Sequence, residues 1–253
     1  MSEIIGITGA IGSGKTTLSN LLVQLEPDHA LYESSQLVAE VADDFNAALK
    51  GELAFETTNN EVELVNQALI WFTEAIVERL HHDVTWNQLA ITKQQLTTHP
   101  ELFEKLFVYL TLVKTQSNLL SERITKENKT TYRPLLQWIG GYLVAKISPT
   151  IWFEEIFRRI GLHDSDKKLI VINGMRYPAQ AEFIQRRGGK IIEIIRPGLV
   201  SDTHDITEAS RAQITPDIRV INNGTPEDLQ KIAEKLWLDL SVGKVDREYR
   251  ASK

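Results

Sequence analysis

The 253-residue chain contains no cysteine. That excludes disulfides, thiol catalysis and thiolate metal sites, and a zinc centre would have to use histidine and carboxylates alone. No apolar run approaches the length of a membrane span. No charged segment followed by an apolar one precedes the first residues, so no leader is expected and the predicted location is cytoplasmic. Basic residues are outnumbered: 28 Lys and Arg against 34 Asp and Glu give a formal charge of -6, without the cationic excess of a protein that grips nucleic-acid backbone. Neither nucleic acid nor a membrane is expected as a partner, which leaves small-molecule work. Repeats and low-complexity tracts are also absent. What remains is an ordinary composition, 42% hydrophobic and 25% charged, enough to bury one sizeable core.

Against that background the N-terminus stands out. Residues 9–16 read Gly-Ala-Ile-Gly-Ser-Gly-Lys-Thr, a complete G-x-x-x-x-G-K-[ST] phosphate-binding loop. It follows the apolar run Ile4–Thr8 and precedes the helical run Thr17–Leu22, in the order strand, loop, helix. Glycines let such a loop turn several N–H groups toward a polyphosphate, and the new helix adds the positive end of its dipole. Gly12, Ser13, Gly14, Lys15, Thr16 and Thr17 are therefore the candidate nucleotide cradle. Lys15 is expected to reach the β- and γ-phosphates, and the Thr16 hydroxyl to ligate Mg²⁺.

The rest of the chain alternates strand and helix signals around a helical middle. Ala30–Tyr32 suits a second strand ending at Glu33-Ser34-Ser35. Val62, Val65, Leu69, Phe72, Ile76 and Leu80 recur at steps of three and four, as do Phe103, Leu106, Leu110 and Val113, predicting two amphipathic helices with core-facing stripes. Thr98 with Pro100 resembles a helix start. Leu169–Ile172 and Ile191–Ile195 have the β-branched composition of strands covered on both faces. Ala179–Arg187 fits a crossover helix between them, closed by Gly188-Gly189. Val220-Ile221 suits a final strand, and Thr225-Pro226-Glu227-Asp228 opens a helix. The predicted fold is α/β, a P-loop kinase-like doubly wound parallel sheet in one domain over 1–240, with 46–131 as a helical insertion and 241–253 as a polar C-terminal tail.

The loop by itself does not choose among kinases, ATPases and GTPases. The guanine-binding Asn-Lys-x-Asp motif is absent. Phosphoryl transfer to an anionic acceptor needs several arginines to hold mutually repelling phosphates in line, and Arg133, Arg158, Arg159, Arg176 and Arg196 are candidates. Arg133 begins Arg-Pro-Leu-Leu-Gln-Trp-Ile-Gly-Gly, predicted as a short helix ending at its paired glycines. Arg176 lies just past a buried strand, at the carboxyl end where such sheets bind ligands.

Several of these segments together resemble the deoxynucleoside monophosphate kinases of phages and their bacterial relatives. They are Arg133–Gly140, Ile151-Trp152-Phe153, Met175-Arg176-Tyr177-Pro178, Arg196-Pro197-Gly198 and His204–Glu208. The resemblance covers the first 35 residues and most of 132–240; the middle section matches no known pattern. It implies that Arg133, Gln137, Gly140, Trp152 and Arg176 line the acceptor-nucleotide site, with Lys15, Arg133 and Arg176 as catalytic cations. The implied donor is ATP with Mg²⁺, and the implied acceptor a deoxynucleoside 5′-monophosphate. Dimerisation is implied by the same resemblance and by the long apolar helix faces. The chain departs from the family at Gly174, where an Asp usually precedes the arginine by two residues, at Ala179-Gln180 in place of Asn-Glu, and at Gln36–Val38, which lack the usual lysine.

Two alternatives remain at this point. The phosphate loop and Asn222–Leu229 are also similar to dephospho-coenzyme A kinases, with Glu33 in the place of that family's acid. A hydroxyl acceptor needs such a base, whereas an acceptor phosphate arrives anionic. The other alternative is a non-catalytic, ATP-binding regulatory protein. His81-His82, adjacent at a helix end, diverge and lack a third metal ligand. Ser201, His204 and Asp205 do not make a hydrolase triad by proximity in sequence.

Overall fold

The β-branched runs become strands: β1 (Glu3–Thr8), β2 (His29–Glu33), β3 (Leu169–Asn173), β4 (Lys190–Ile195), β5 (Ile218–Ile221) and β6 (Glu248–Arg250). The structure, a computed structural model, describes residues 2–51, 61–80, 103–199 and 206–251. The histidine pair at 81–82, the helix start at 98–100 and the 201–205 loop lie outside the described residues. The helices described are α1 (Lys15–Leu25), α2 (Ser34–Gly51), α3 (Glu61–Leu80), α4 (Glu104–Thr115), α5 (Arg133–Lys146), α6 (Ile151–Arg159), α7 (Pro178–Gln185), α8 (Ile206–Arg211) and α9 (Pro226–Ser241). None of them is long and apolar enough to cross a membrane. The chain forms two compact units, one of Met1–Ser34 with Ile156–Lys253 and the other Ser35–Glu155. The second is wider at both ends than the 46–131 insertion predicted, and it takes in all of α5.

The first unit holds the whole sheet, in the order β2-β3-β1-β4-β5-β6, every pair parallel. Ile7 of β1 lies beside Asn173 of β3 and Ile192 of β4, so β1 is central and its carboxyl end opens where the strand order reverses. Ligands bind at such switch points. Ile5, Ile7, Val171, Ile192 and Val220 form one core cluster with Leu18 and Leu22 of α1 and with Leu229 and Leu236 of α9. Each such side chain contributes about 2 kcal/mol by leaving water. The opposite face takes α7. Gly6 makes this possible, because a Cβ there would lie 2.7 Å from Met175 Cε and 2.8 Å from Ile184 Cδ1.

The C-terminus corrects the sequence reading. Residues 241–253 are not simply a polar tail. Gly243, at φ 68, closes α9, and β6 then pairs with β5. Tyr249 is 3% exposed, and its hydroxyl donates to Asp239 Oδ2 at 2.9 Å and accepts Asp246 N–H at 3.0 Å. One buried aromatic in a three-residue strand is too short a pattern for periodicity to reveal.

In the second unit the predicted stripes are buried, Val65, Leu69, Phe72, Ile76 and Leu80 on α3 and Phe103, Leu106, Leu110 and Val113 at and along α4, and Leu64 and Tyr109 are buried beside them. Phe72 meets Trp138 at 4.6 Å between ring centroids, and Trp138 stacks on Tyr142 at 4.9 Å. Here α5 corrects a second expectation. It does not stop at Gly140-Gly141 but runs on to Lys146, because Tyr142 and Leu143 continue the buried stripe of Leu135, Leu136, Trp138 and Ile139. Tertiary burial outweighs the ~1 kcal/mol that each helical glycine costs relative to alanine.

Candidate functional site

The phosphate loop is bent by its glycines and tied from behind. Gly14 caps α1 at φ 106 and ψ 16, a left-handed conformation, and a Cβ on it would lie 2.7 Å from Asn222 Nδ2. That amide, just past β5, donates to Ser13 O at 2.8 Å and so joins two strand-end loops. Lys15 Nζ donates to Gly9 O at 2.7 Å and to Ala10 O at 2.8 Å, which holds the ammonium against the loop. Ser13 is 1% exposed and its Oγ has no hydrogen-bond partner among the described residues, whereas Thr16 and Thr17 are exposed at the head of α1. Behind the loop, Ser19 Oγ lies 2.8 Å from Asn173 Oδ1 at the end of β3.

These residues face a cavity of about 400 Å³ lined by Gly12, Gly14, Lys15, Thr16 and Thr17, by Arg196 after β4, and by Asn222, Gly224, Thr225, Pro226 and Leu229 after β5. Three adjacent strand ends thus supply one site. Its far rim is rigid: Thr225 caps α9 and accepts from Asp228 N, while Asp228 Oδ2 accepts Thr225 N–H at 3.0 Å. The bond from Thr225 N–H, followed by that from its hydroxyl, holds the Asp228 carboxyl below its usual pKa. In the sequence, Arg196 is one candidate among five and part of the first resemblance, while Asn222–Leu229 reads as a helix start and as part of the second resemblance, not as cavity lining. The available signal was position: a polar residue directly after an apolar run of a parallel sheet.

Arg176 belongs to the same unit, on the turn between β3 and α7. Gly174 opens that turn at φ 94, and its carbonyl accepts Ser34 Oγ–H at 3.1 Å. A Cβ at this position would lie 2.2 Å from Ser34 Oγ, so a side chain fits here only if that hydroxyl moves. The Arg176 side chain is exposed. Glu33 ends the neighbouring β2, whose Tyr32 hydroxyl donates to Asp164 Oδ2 at 2.5 Å. Burial, with that bond second, pushes the Tyr32 pKa well above its ordinary value. Arg158 and Arg159 close α6, and the charge of Arg159 acts on Tyr32.

The remaining predicted residues lie in the second unit. Arg133, Gln137 and Gly140 fall at steps of four and three along α5 and so share one face, with Arg133 and Gln137 exposed. Trp152 is 3% exposed, and its Nε1–H donates to Gly140 O at 3.3 Å. It braces that face through the backbone rather than by presenting its ring.

A parallel sheet covered by helices on both faces, with a glycine loop leading from its central strand into a Lys-Thr helix head, defines the class: an α/β protein of P-loop kinase-like fold. Within that class, the family described as deoxynucleotide monophosphate kinase matches residues 3–232, and the chain belongs to it. A protein of Acanthamoeba polyphaga mimivirus, named "Putative deoxynucleotide monophosphate kinase", is 32% identical over 79 residues, 31% of this chain. The match spans 38% of that viral protein's length.

Proposed function

We propose that this protein transfers the γ-phosphoryl group of ATP to a deoxynucleoside 5′-monophosphate. The observation that carries the reading is the cavity that Lys15, Thr16 and Arg196 line together with the loop glycines, in a chain of this family. Its volume suits a small ligand. The left-handed Gly14, the Ser13 hydroxyl, buried with no partner among the described residues, and the positive end of α1 suit a polyphosphate. Lys15 is already held at the loop by two carbonyls, and a phosphate oxygen is a stronger acceptor for its ammonium than either.

Among the described residues no group of three His, Cys, Asp or Glu could cage a metal ion. Mg²⁺, which binds mainly through phosphates and few protein ligands, fits Thr16 as the protein's contribution. When bound it would neutralise charge on the phosphates. Arg176 takes the acceptor phosphate. A guanidinium fork binds a phosphate in bidentate fashion. The acceptor phosphate is already anionic, so no residue is needed to remove a proton from it.

Incubating the purified protein with ATP, Mg²⁺ and each deoxynucleoside monophosphate separately tests the reading. Formation of a deoxynucleoside diphosphate from at least one acceptor is expected. Tight ATP binding without transfer to any of them would overturn it in favour of a nucleotide-binding regulator.

A further inference from the structure

We infer that Gln180 is the positioning residue for Arg176, fixing the turn that presents this arginine to the acceptor phosphate; the inference rests on the kinase reading above. Gln180 is 3% exposed, and its Oε1 accepts two backbone N–H groups, from Arg176 at 2.9 Å and from Tyr177 at 3.2 Å. Its own N–H donates to Tyr177 O at 3.0 Å. A residue three places into a helix commonly reaches back to the N–H of the capping residue, which is Tyr177 here. The bond to Arg176 goes one residue further, outside the helix, and restrains the arginine itself.

The remainder of the turn is tied down by other means. Ser34 donates to Gly174 O, Thr8 Oγ1 donates to Met175 O at 3.3 Å, and the Met175 side chain is 2% exposed. The Arg176 side chain is the exposed part of this anchored segment. A carbonyl-type oxygen has two lone pairs and can accept both amides. Glutamine therefore meets the geometric need as well as glutamate would. The departure from the family's acid at this position preserves the clamp and removes a charge.

Gln180→Met keeps the length of the side chain and deletes the acceptor, whereas Gln180→Glu keeps an acceptor. In Gln180→Met, faster hydrogen exchange at the Arg176 and Tyr177 amides is expected. Acceptor kcat/KM should fall about 10- to 100-fold, as small misplacements of a phosphate clamp do, with ATP affinity within about twofold of wild type. Gln180→Glu is expected to restore both amide protection and acceptor kcat/KM. Unchanged exchange and acceptor kcat/KM in Gln180→Met, an equal loss of ATP affinity, or no rescue by Gln180→Glu would each overturn the inference. If the wild-type protein phosphorylates no deoxynucleoside monophosphate, the proposed function fails. Exchange at the two amides in the same variants still decides the clamp.

Discussion

Restoring a side chain at Gly174 tests whether the turn before Arg176 is shaped by backbone geometry or by a missing acid. At φ 94 an L-residue is strained, at about 1–3 kcal/mol. The new Cβ would also lie 2.2 Å from Ser34 Oγ and 3.3 Å from Ser34 Cβ, so the hydroxyl must move away. It then gives up its bond to Gly174 O, worth about 1 kcal/mol. Gly174→Ala is thus expected to cost about 2–4 kcal/mol in all, a large share of a typical folding free energy. Gly174→Asp, the family's residue, should cost at least as much and should not improve turnover. Ser34→Gly removes both crowded atoms and leaves the Ser34 backbone nitrogen at 3.5 Å, an ordinary contact. Gly174→Ala should then cost only the backbone strain. Urea unfolding of the wild type, the two single variants and the double variant gives the cycle, with a coupling of about 1 kcal/mol expected. A cost below about 0.5 kcal/mol for Gly174→Ala, or additivity within about 0.3 kcal/mol, would refute the reasoning.

Other perturbations address the chemistry and the C-terminus. Lys15→Ala should lower transfer about 10²-fold or more by removing an electrostatic contact at the developing charge, and near-normal kcat in a folded variant would contradict the role. Arg176→Lys keeps the charge but loses the planar fork, so acceptor kcat/KM should fall while ATP affinity holds; equal losses in both would move this arginine to the donor side. Glu33→Gln should retain most activity if the acceptor is a phosphate. Its loss with intact nucleotide binding would point instead to a hydroxyl acceptor. Burial, ahead of its other contacts, pushes the Tyr249 pKa up to about 12 from the ordinary 10. The folded state therefore holds the phenolic proton more tightly than the unfolded chain, and this stabilisation is complete below pH 10 and lost as the pH rises through 12. Urea midpoints compared across that range should fall more steeply for the wild type than for Tyr249→Phe, and parallel curves would show that the tyrosine is not linked to stability.

Local chemistry made much of this protein legible in one dimension. The phosphate loop declares itself because backbone curvature, dipole and cation must be adjacent in sequence to act together. The strands declare themselves because a sheet covered on both faces needs unbroken β-branched runs, as in Leu169–Ile172. The stripes of α3 and α4 follow from helical period alone. Other features were set by contacts between distant segments. Arg196 and Asn222 join the loop only because β4 and β5 lie side by side next to β1. In sequence Gly174 reads as a lost acid, whereas in the fold Ser34, 140 residues away, occupies the space beside it. Gln180 reads in sequence as a second loss, yet its side-chain oxygen accepts from two amides brought to it by the turn. The helix through Gly140-Gly141 and the strand at Tyr249 exist because burial by remote partners outweighs weak local preference. A sequence specifies directly what neighbours along the chain must do together, whereas packing decides which distant groups share a hydrogen bond or compete for one volume.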